Sequence, residues 1–332
     1  MVKQFLRDNP IHKKIVPYFD YFFLLRPTLY SAIWVMLILG MAAAKMSIVD
    51  YPLWINNYDF STFLVLSGIT LLCSGTFIIN QIVDRYGDEK NKKLFLINEY
   101  IKIEDAQLIS NLISFVGFIL LSLGNFILCP LGLLIYILWG ILYNKPPFEW
   151  KKNPFLGILT NILIGIILFL IGWLQVTGIN NIQFAQLIDS MLPYILCFTA
   201  VSLMTNIPDI KGDECDNANT FTIKFGRRST SMLGTILVFI AFYFSYNNSD
   251  PVASTASLSS IPFFIFALIR DLDKDVLRAI RYPIFLINLF ACAIYPWLFV
   301  ALFIIYYFSK YYYWHRFNLH YPTFLVENDS YN

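Results

Sequence analysis

The chain has 332 residues, 58% of them hydrophobic and only 14% charged. Water-soluble domains carry about 25% charged residues, so most of this chain must lie in lipid. A net charge of +2 gives no sign of a nucleic-acid partner, and the five cysteines lack metal-ligand spacing, so they read as packing residues or free thiols.

Residues 1–20 interleave Lys3, Arg7, Lys13 and Lys14 with Phe5, Leu6, Ile11, Ile15 and Val16. This is the pattern of a short amphipathic helix on a membrane surface, and no cleavable signal peptide is read there. Nine apolar runs long enough to span a bilayer follow, at 22–44, 60–80, 106–125, 127–143, 155–176, 186–206, 229–247, 252–269 and 283–308. Asn125 and Pro130 predict a tight turn between two antiparallel spans, and Pro296 predicts a kink or break in the last run. With the N-terminus cytoplasmic, 21 of the 24 Lys and Arg residues face the cytoplasm, and Lys45, Lys310 and Arg316 fall outside. Residues 310–332 then form a C-terminal tail, and Tyr306, Tyr307, Tyr311, Tyr312, Tyr313 and Trp314 an aromatic belt at the outer face. The expectation is an all-α polytopic membrane protein with nine transmembrane helices, folded as one domain over 1–332.

Two stretches carry the chemistry. Asn80-x3-Asp84-x3-Asp88 begins where an apolar run ends. Steps of four drift only about 80° in total on a helix, so the three side chains share a face. Asn206-Ile-Pro-Asp209-Ile-Lys-Gly-Asp213 ends a second apolar run, and Pro208 predicts that its helix stops, restarts or bends. The topology puts both on the cytoplasmic side, where carboxylates from two helices suit a hard divalent cation such as Mg²⁺. Asp216 and Glu214 add negative charge. Basic residues interleave: Arg85, Lys93, Lys145, Lys151, Lys211, Lys224, Arg227 and Arg228. Acids that hold a metal, beside cations that neutralise a leaving group, describe a diphosphate site. Asn161, Gln175 and Asn288 lie within spans and read as interhelical amides, with Asn161 the candidate acceptor contact.

These stretches resemble a known family. Asn80-x3-Asp84-Arg85-x2-Asp88 with Asn91, and Asn206-Ile-Pro-Asp209-Ile-Lys-Gly-Asp213 with Thr222-Ile-Lys-Phe-Gly226, look like the two aspartate-rich motifs of the UbiA superfamily of intramembrane prenyltransferases. The resemblance runs along essentially the whole chain and includes Arg26-Pro27. Ile207-Pro-Asp-Ile-Lys-Gly-Asp213 and Tyr143-x2-Pro146-Pro147 are most similar to the branch of chlorophyll synthases, homogentisate prenyltransferases and digeranylgeranylglyceryl phosphate synthases. It implies a central chamber with both motifs at its cytoplasmic face, in the plasma membrane of a bacterium or archaeon. It also implies Mg²⁺ held by Asn80, Asp84, Asp88, Asn206, Asp209 and Asp213, the four aspartates being catalytic. The diphosphate of a prenyl donor would meet Arg85, Lys93, Lys145, Lys151, Lys211, Lys224 and Tyr143. An allylic carbocation would be captured by a lipophilic or aromatic acceptor in the membrane, and Phe77, Tyr136, Trp139, Phe169 and Trp173 are candidates to line the chamber.

Departures from the pattern carry expectations too. Asn206 stands where the family has Asp, which weakens the second metal and makes Asp84 and Asp88 the less replaceable pair. Lys93 stands for an arginine, and no lysine follows Tyr143 in the family's register. Two alternatives remain at this point: a terpene cyclase of the same fold, and, less favoured because its carboxylates sit at span ends, a transporter.

Overall fold

The computed structural model describes residues 9–48, 59–90, 96, 97 and 99–323. Among them the chain is helical, with one isolated bridge between Ile97 and Ile101 and no strand. Short helices α1 (Pro10–Ile15) and α2 (Asp20–Leu24) precede α3 (Tyr30–Ile48), α4 (Phe60–Val83), α5 (Arg85–Lys90) and α6 (Ile103–Asn125). Then come α7 (Cys129–Ile135), α8 (Leu156–Thr177), α9 (Phe184–Thr205), α10 (Ile210–Cys215) and α11 (Phe221–Phe225). The chain closes with α12 (Arg227–Asn247), α13 (Pro251–Arg270), α14 (Asp273–Ile294) and α15 (Pro296–Phe317).

Polar residues mark where the apolar runs start. Asp59 accepts a hydrogen bond from the Thr62 amide at 2.8 Å to cap α4, and Asp250 accepts from Val252 and Ala253, each at 2.9 Å, to cap α13. Between helices the contacts are made by small residues. A Cβ added to Gly40 would run into the Phe169 carbonyl, and one added to Gly172 into the Leu37 carbonyl, so α3 and α8 touch backbone to backbone. Gly68 and Gly117 bring α4 and α6 together in the same way. Close backbone approach through small residues is how helices gain packing energy where lipid competes for every apolar side chain.

Eight helical stretches among the described residues are long and apolar enough to cross a membrane. The runs expected at 106–125 and 127–143 form one of these, Ile103–Leu142, 40 residues long. It doubles back on itself. Asn125 leaves the helix at φ −160° and ψ 100°, and its side chain accepts from the Ile127 amide at 3.2 Å. Gly132 then faces the side chain of Leu121, a residue that a straight helix would hold about 16 Å away.

The last expected run, 283–308, is broken at Tyr295 (φ −122°, ψ 82°), one residue before Pro296. After the break α15 turns back. Its C-terminal end meets the N-terminal segment: Tyr312 donates to Asp20 at 2.6 Å, Arg316 donates to the same carboxylate at 2.8 and 3.1 Å, and Phe23 stacks on Tyr312. That segment is tied to the end of α4 that carries the first motif, through Gln81 donating to the Leu24 carbonyl at 2.8 Å. The expected outer aromatic belt is therefore not formed. Tyr312 and Tyr313 are buried on the side of the motifs, and residues 310–317 are helix rather than tail.

Candidate active site

The first motif occupies the junction of α4 and α5. Asp84 ends α4, yet the Asp84 amide donates to the Asn80 carbonyl and the Asp88 amide to the Asp84 carbonyl, each at 2.8 Å. The helical path thus continues across the junction and keeps Asn80, Asp84 and Asp88 on one face. The second motif is a break and restart at Pro208. Asn206 ends α9, Asp209 begins α10, and the Asp213 amide donates to the Asp209 carbonyl at 3.0 Å. The two short motif helices cross at Gly87, where an added Cβ would sit 2.5 Å from Asp216 Oδ2 and 3.6 Å from the Gly212 carbonyl. With no side chain on Gly87, Asp216 and the Gly212 backbone come directly against the first motif.

Asn80, Asp84, Asp88, Asn206, Asp209 and Asp213 all line one cavity of about 1070 Å³. Arg26, Tyr143, Lys151, Lys152, Asp216 and Arg281 line the same end. Lys151 pairs with Asp84, and Arg26 lies 3.5 Å from Asp88. Asn80 donates to Asp84 Oδ2 at 2.6 Å and to Asn144 Oδ1 at 3.0 Å. Buried Asn144 also accepts from Lys151 at 3.3 Å and donates to the Trp139 carbonyl at 2.7 Å. A π-helical stretch, Tyr136–Leu142, leads into Tyr143 and Asn144, the kind of local insertion that re-aims side chains at functional sites. Burial, together with Asp84 and Asp88, pushes the Asp216 carboxyl above its ordinary value, against Lys151 and Lys152.

Other candidates named from the sequence lie elsewhere. Lys93 is outside the described residues. Arg85 turns away to the Ile82 carbonyl at 2.9 Å and over the Tyr86 ring. Lys224 lies over Phe155 and Phe225, Lys211 is exposed, and neither they nor Lys145 line the cavity. The candidate chamber aromatics Phe77, Tyr136, Trp139, Phe169 and Trp173 do not line it either. Phe169 and Trp173 are fully buried in the helix core. The cavity takes its aromatic wall from Phe285, Phe299, Phe303, Tyr306 and Tyr307 on α14 and α15. Asn161 accepts from Trp139 at 3.1 Å and donates to Ser202 at 2.9 Å, so it joins helices and does not face the cavity. Four residues not named among the site candidates from the sequence belong to the candidate site: Arg26, Lys152 and Arg281, which line the cavity, and Asn144, which bonds to Asn80 and Lys151. Arg26-Pro27 and the Tyr143 stretch hold the only sequence hint of two of them.

Among the described residues no three His, Cys, Asp or Glu side chains converge as a ready ligand set. The donor chemistry nonetheless fits Mg²⁺. The oxygens are hard carboxylates from two helices, their mutual repulsion is registered at Asp216, and Mg²⁺ commonly takes one or two carboxylates and completes its shell with water and substrate phosphate oxygens.

Comparisons with known proteins agree with the all-helical fold. The model of the UbiA prenyltransferase family matches residues 32–290. The chain is 30% identical to a 2-acylphloroglucinol 4-prenyltransferase of Humulus lupulus, over 65% of this chain and 55% of that protein. It is 24% identical to digeranylgeranylglyceryl phosphate synthase of Sulfolobus acidocaldarius, over 55% of this chain and 64% of that one. It thus spans a little over half the length of the first of these relatives. A UbiA homolog from Archaeoglobus fulgidus, solved bound to DMAPP and Mg²⁺, superposes with a TM-score of 0.59 at 17% identity, over 86% of this chain and 99% of that one. With the family model covering most of the sequence and both motifs, the chain belongs to the UbiA prenyltransferase family.

Proposed function

We propose that this protein transfers a prenyl group from a prenyl diphosphate to a lipophilic or aromatic acceptor within the membrane, with Mg²⁺ as cofactor. The observation that carries this reading is a single cavity with two faces of chemistry: both Asn/Asp motifs and four cations at one end, apolar and aromatic side chains along the rest. A prenyl diphosphate has the same division.

Asp84 and Asp88 from the first motif, with Asp209 and Asp213 from the second, would hold Mg²⁺, joined by Asn80 and Asn206 through their amide oxygens. The metal's chemistry there is to neutralise the diphosphate and make it a better leaving group. Lys151, Lys152, Arg26 and Arg281 line the same end and take up the charge that grows on the diphosphate as its C–O bond breaks. Asn144 and Asn80 orient Lys151 and Asp84 through the hydrogen bonds described above. The apolar walls exclude water, which would otherwise capture the allylic cation before the acceptor does. The new bond forms at the acceptor, which then loses a proton.

The same reading supplies a topology for one domain over 1–332. Counting both arms of Ile103–Leu142, helices α3 to α14 make nine crossings, and α15 returns to the motif side. With that side cytoplasmic, Lys310 and Arg316 join the other basic residues, and Lys45 alone stays on the far side.

The test is consumption of geranyl, farnesyl and geranylgeranyl diphosphates by purified protein with Mg²⁺ and a lipid extract, read as released diphosphate and product mass. Asp84→Ala and Asp209→Ala are each expected to lose about 10²-fold or more of the rate. A wild-type protein that consumes no prenyl diphosphate, or variants that match it, would sink the proposal.

A further inference from the structure

The cavity continues away from the motifs as an arm between α14 and α15. Its walls are Ile284, Phe285 and Leu289 on one side and Phe299, Leu302 and Phe303 on the other. The family model ends at residue 290, so the α15 wall belongs to this chain rather than to the matched region. One residue does not suit a hydrocarbon arm. Asn288 lines the cavity and is buried, with a relative exposure of 8%. Its Nδ2 donates to the Ile284 carbonyl at 2.6 Å. Its Oδ1 is buried with no hydrogen-bond partner among the described residues. The other span amides behave differently: Gln175 bonds to Asn125 and Ser61, and Asn161 to Trp139 and Ser202.

A prenyl tail offers no donor, so filling this arm with hydrocarbon would leave the Asn288 oxygen permanently without a hydrogen bond. A hydroxyl would satisfy it, and the broad final torsion of an Asn side chain lets Oδ1 turn toward the cavity. Distance narrows the choice. Asn288 is two helical turns along α14 from Arg281, about 10 Å, and Arg281 lines the diphosphate end. That span holds, in line, the diphosphate, the carbon that leaves it and one aromatic ring. The facing wall is aromatic as well: the rings of Phe299, Phe303 and Tyr307 form a ladder with centroids 5.9 and 4.3 Å apart, a surface on which a flat ring packs.

We propose that the α14–α15 arm is the acceptor subsite and that Asn288 is its specificity-determining residue, accepting a hydrogen bond from the hydroxyl of a phenolic acceptor. This rests on the prenyl-transfer reading above. In the reaction the donor's C–O bond breaks with its electron pair leaving on the diphosphate. A ring carbon activated by the hydroxyl forms the new C–C bond. That carbon's proton passes to the departed diphosphate, and the hydroxyl keeps its own.

The test is binding of an acylphloroglucinol and its fully O-methylated ether to the full-length protein in detergent, with Mg²⁺ and a non-hydrolysable farnesyl diphosphate analogue. Wild type is expected to favour the phenol over the ether by about tenfold or more. Asn288→Leu, close in size, is expected to erase that preference while leaving binding of the farnesyl analogue unchanged, and to melt no lower than wild type because it removes an unpaired buried oxygen. Phe303→Ala is expected to weaken phenol and ether by the same factor, since it alters the wall and not the hydrogen bond. Equal binding of phenol and ether by wild type, or a preference that survives Asn288→Leu, overturns the inference. If wild type binds the farnesyl analogue but no phenol, and prenylates glycerol 1-phosphate instead, the inference fails alone. If it binds neither analogue nor phenol, the prenyl-transfer reading fails with it.

Discussion

At the scale of single residues, spacing decides what can be read in advance. Asn80, Asp84 and Asp88 recur every four positions, and a continuous helical path delivers all three to one cavity. The cations are harder, because a lysine's direction depends on which helix face its neighbours leave open. Lys145 and Lys151 are six positions apart in one loop, yet only Lys151 reaches the carboxylates. Lys151→Ala is therefore expected to cost about 10²-fold in kcat/KM for the prenyl diphosphate. Lys211→Ala and Lys224→Ala are expected to stay within about twofold in the same steady-state assay, because those side chains point elsewhere. Asn144 is invisible as a site residue in the sequence: one amide beside a tyrosine has no periodic partner, and its role emerges only when α4 and the Tyr143 loop are brought together.

Among elements, local breaks are legible and long-range returns are not. Pro208 cannot sit inside a helix without removing a hydrogen bond, and the chain stops and restarts there. Asn125 likewise marks its turn. By contrast, the reversal at Tyr295 sends a tyrosine-rich segment back to the motif side, although its composition alone matches an interfacial belt. What holds α15 in place is the carboxylate of Asp20, which takes three hydrogen bonds from Tyr312 and Arg316. Asp20→Ala leaves a largely buried guanidinium without its partner, so a loss of about 3 kcal/mol is expected, read as a lower melting temperature in detergent. Asp20→Asn keeps the acceptor for Tyr312 and is expected to lose less.

For the whole molecule, the alternation of basic loops with apolar runs carries the proposed sidedness, and with α15 returning to the motif side Lys310 and Arg316 fit the same proposal. One native thiol makes the sidedness measurable. Cys215, beside the second motif, is exposed, whereas Cys73 and Cys129 are buried and Cys197 and Cys292 half-buried. A membrane-impermeant maleimide is expected to modify Cys215 in inside-out vesicles and to spare it in right-side-out vesicles; the reverse pattern inverts the topology. The glycine contacts described above have one more consequence, in compliance. Where α3 meets α8, and α4 meets α6, carbonyls lie against glycine Cα atoms and no side chain remains to give way. Across the cavity, α14 and α15 face each other through half-exposed rings such as Phe285, Phe299 and Phe303. Lateral pressure from a bilayer is then expected to move the α15 side before it moves the two glycine-locked pairs. In hydrogen–deuterium exchange the amides in the middle of α15 are expected to exchange well before those of α3 and α8, so the molecule yields along the α15 wall of its cavity and stays stiff where glycines lock its helices together.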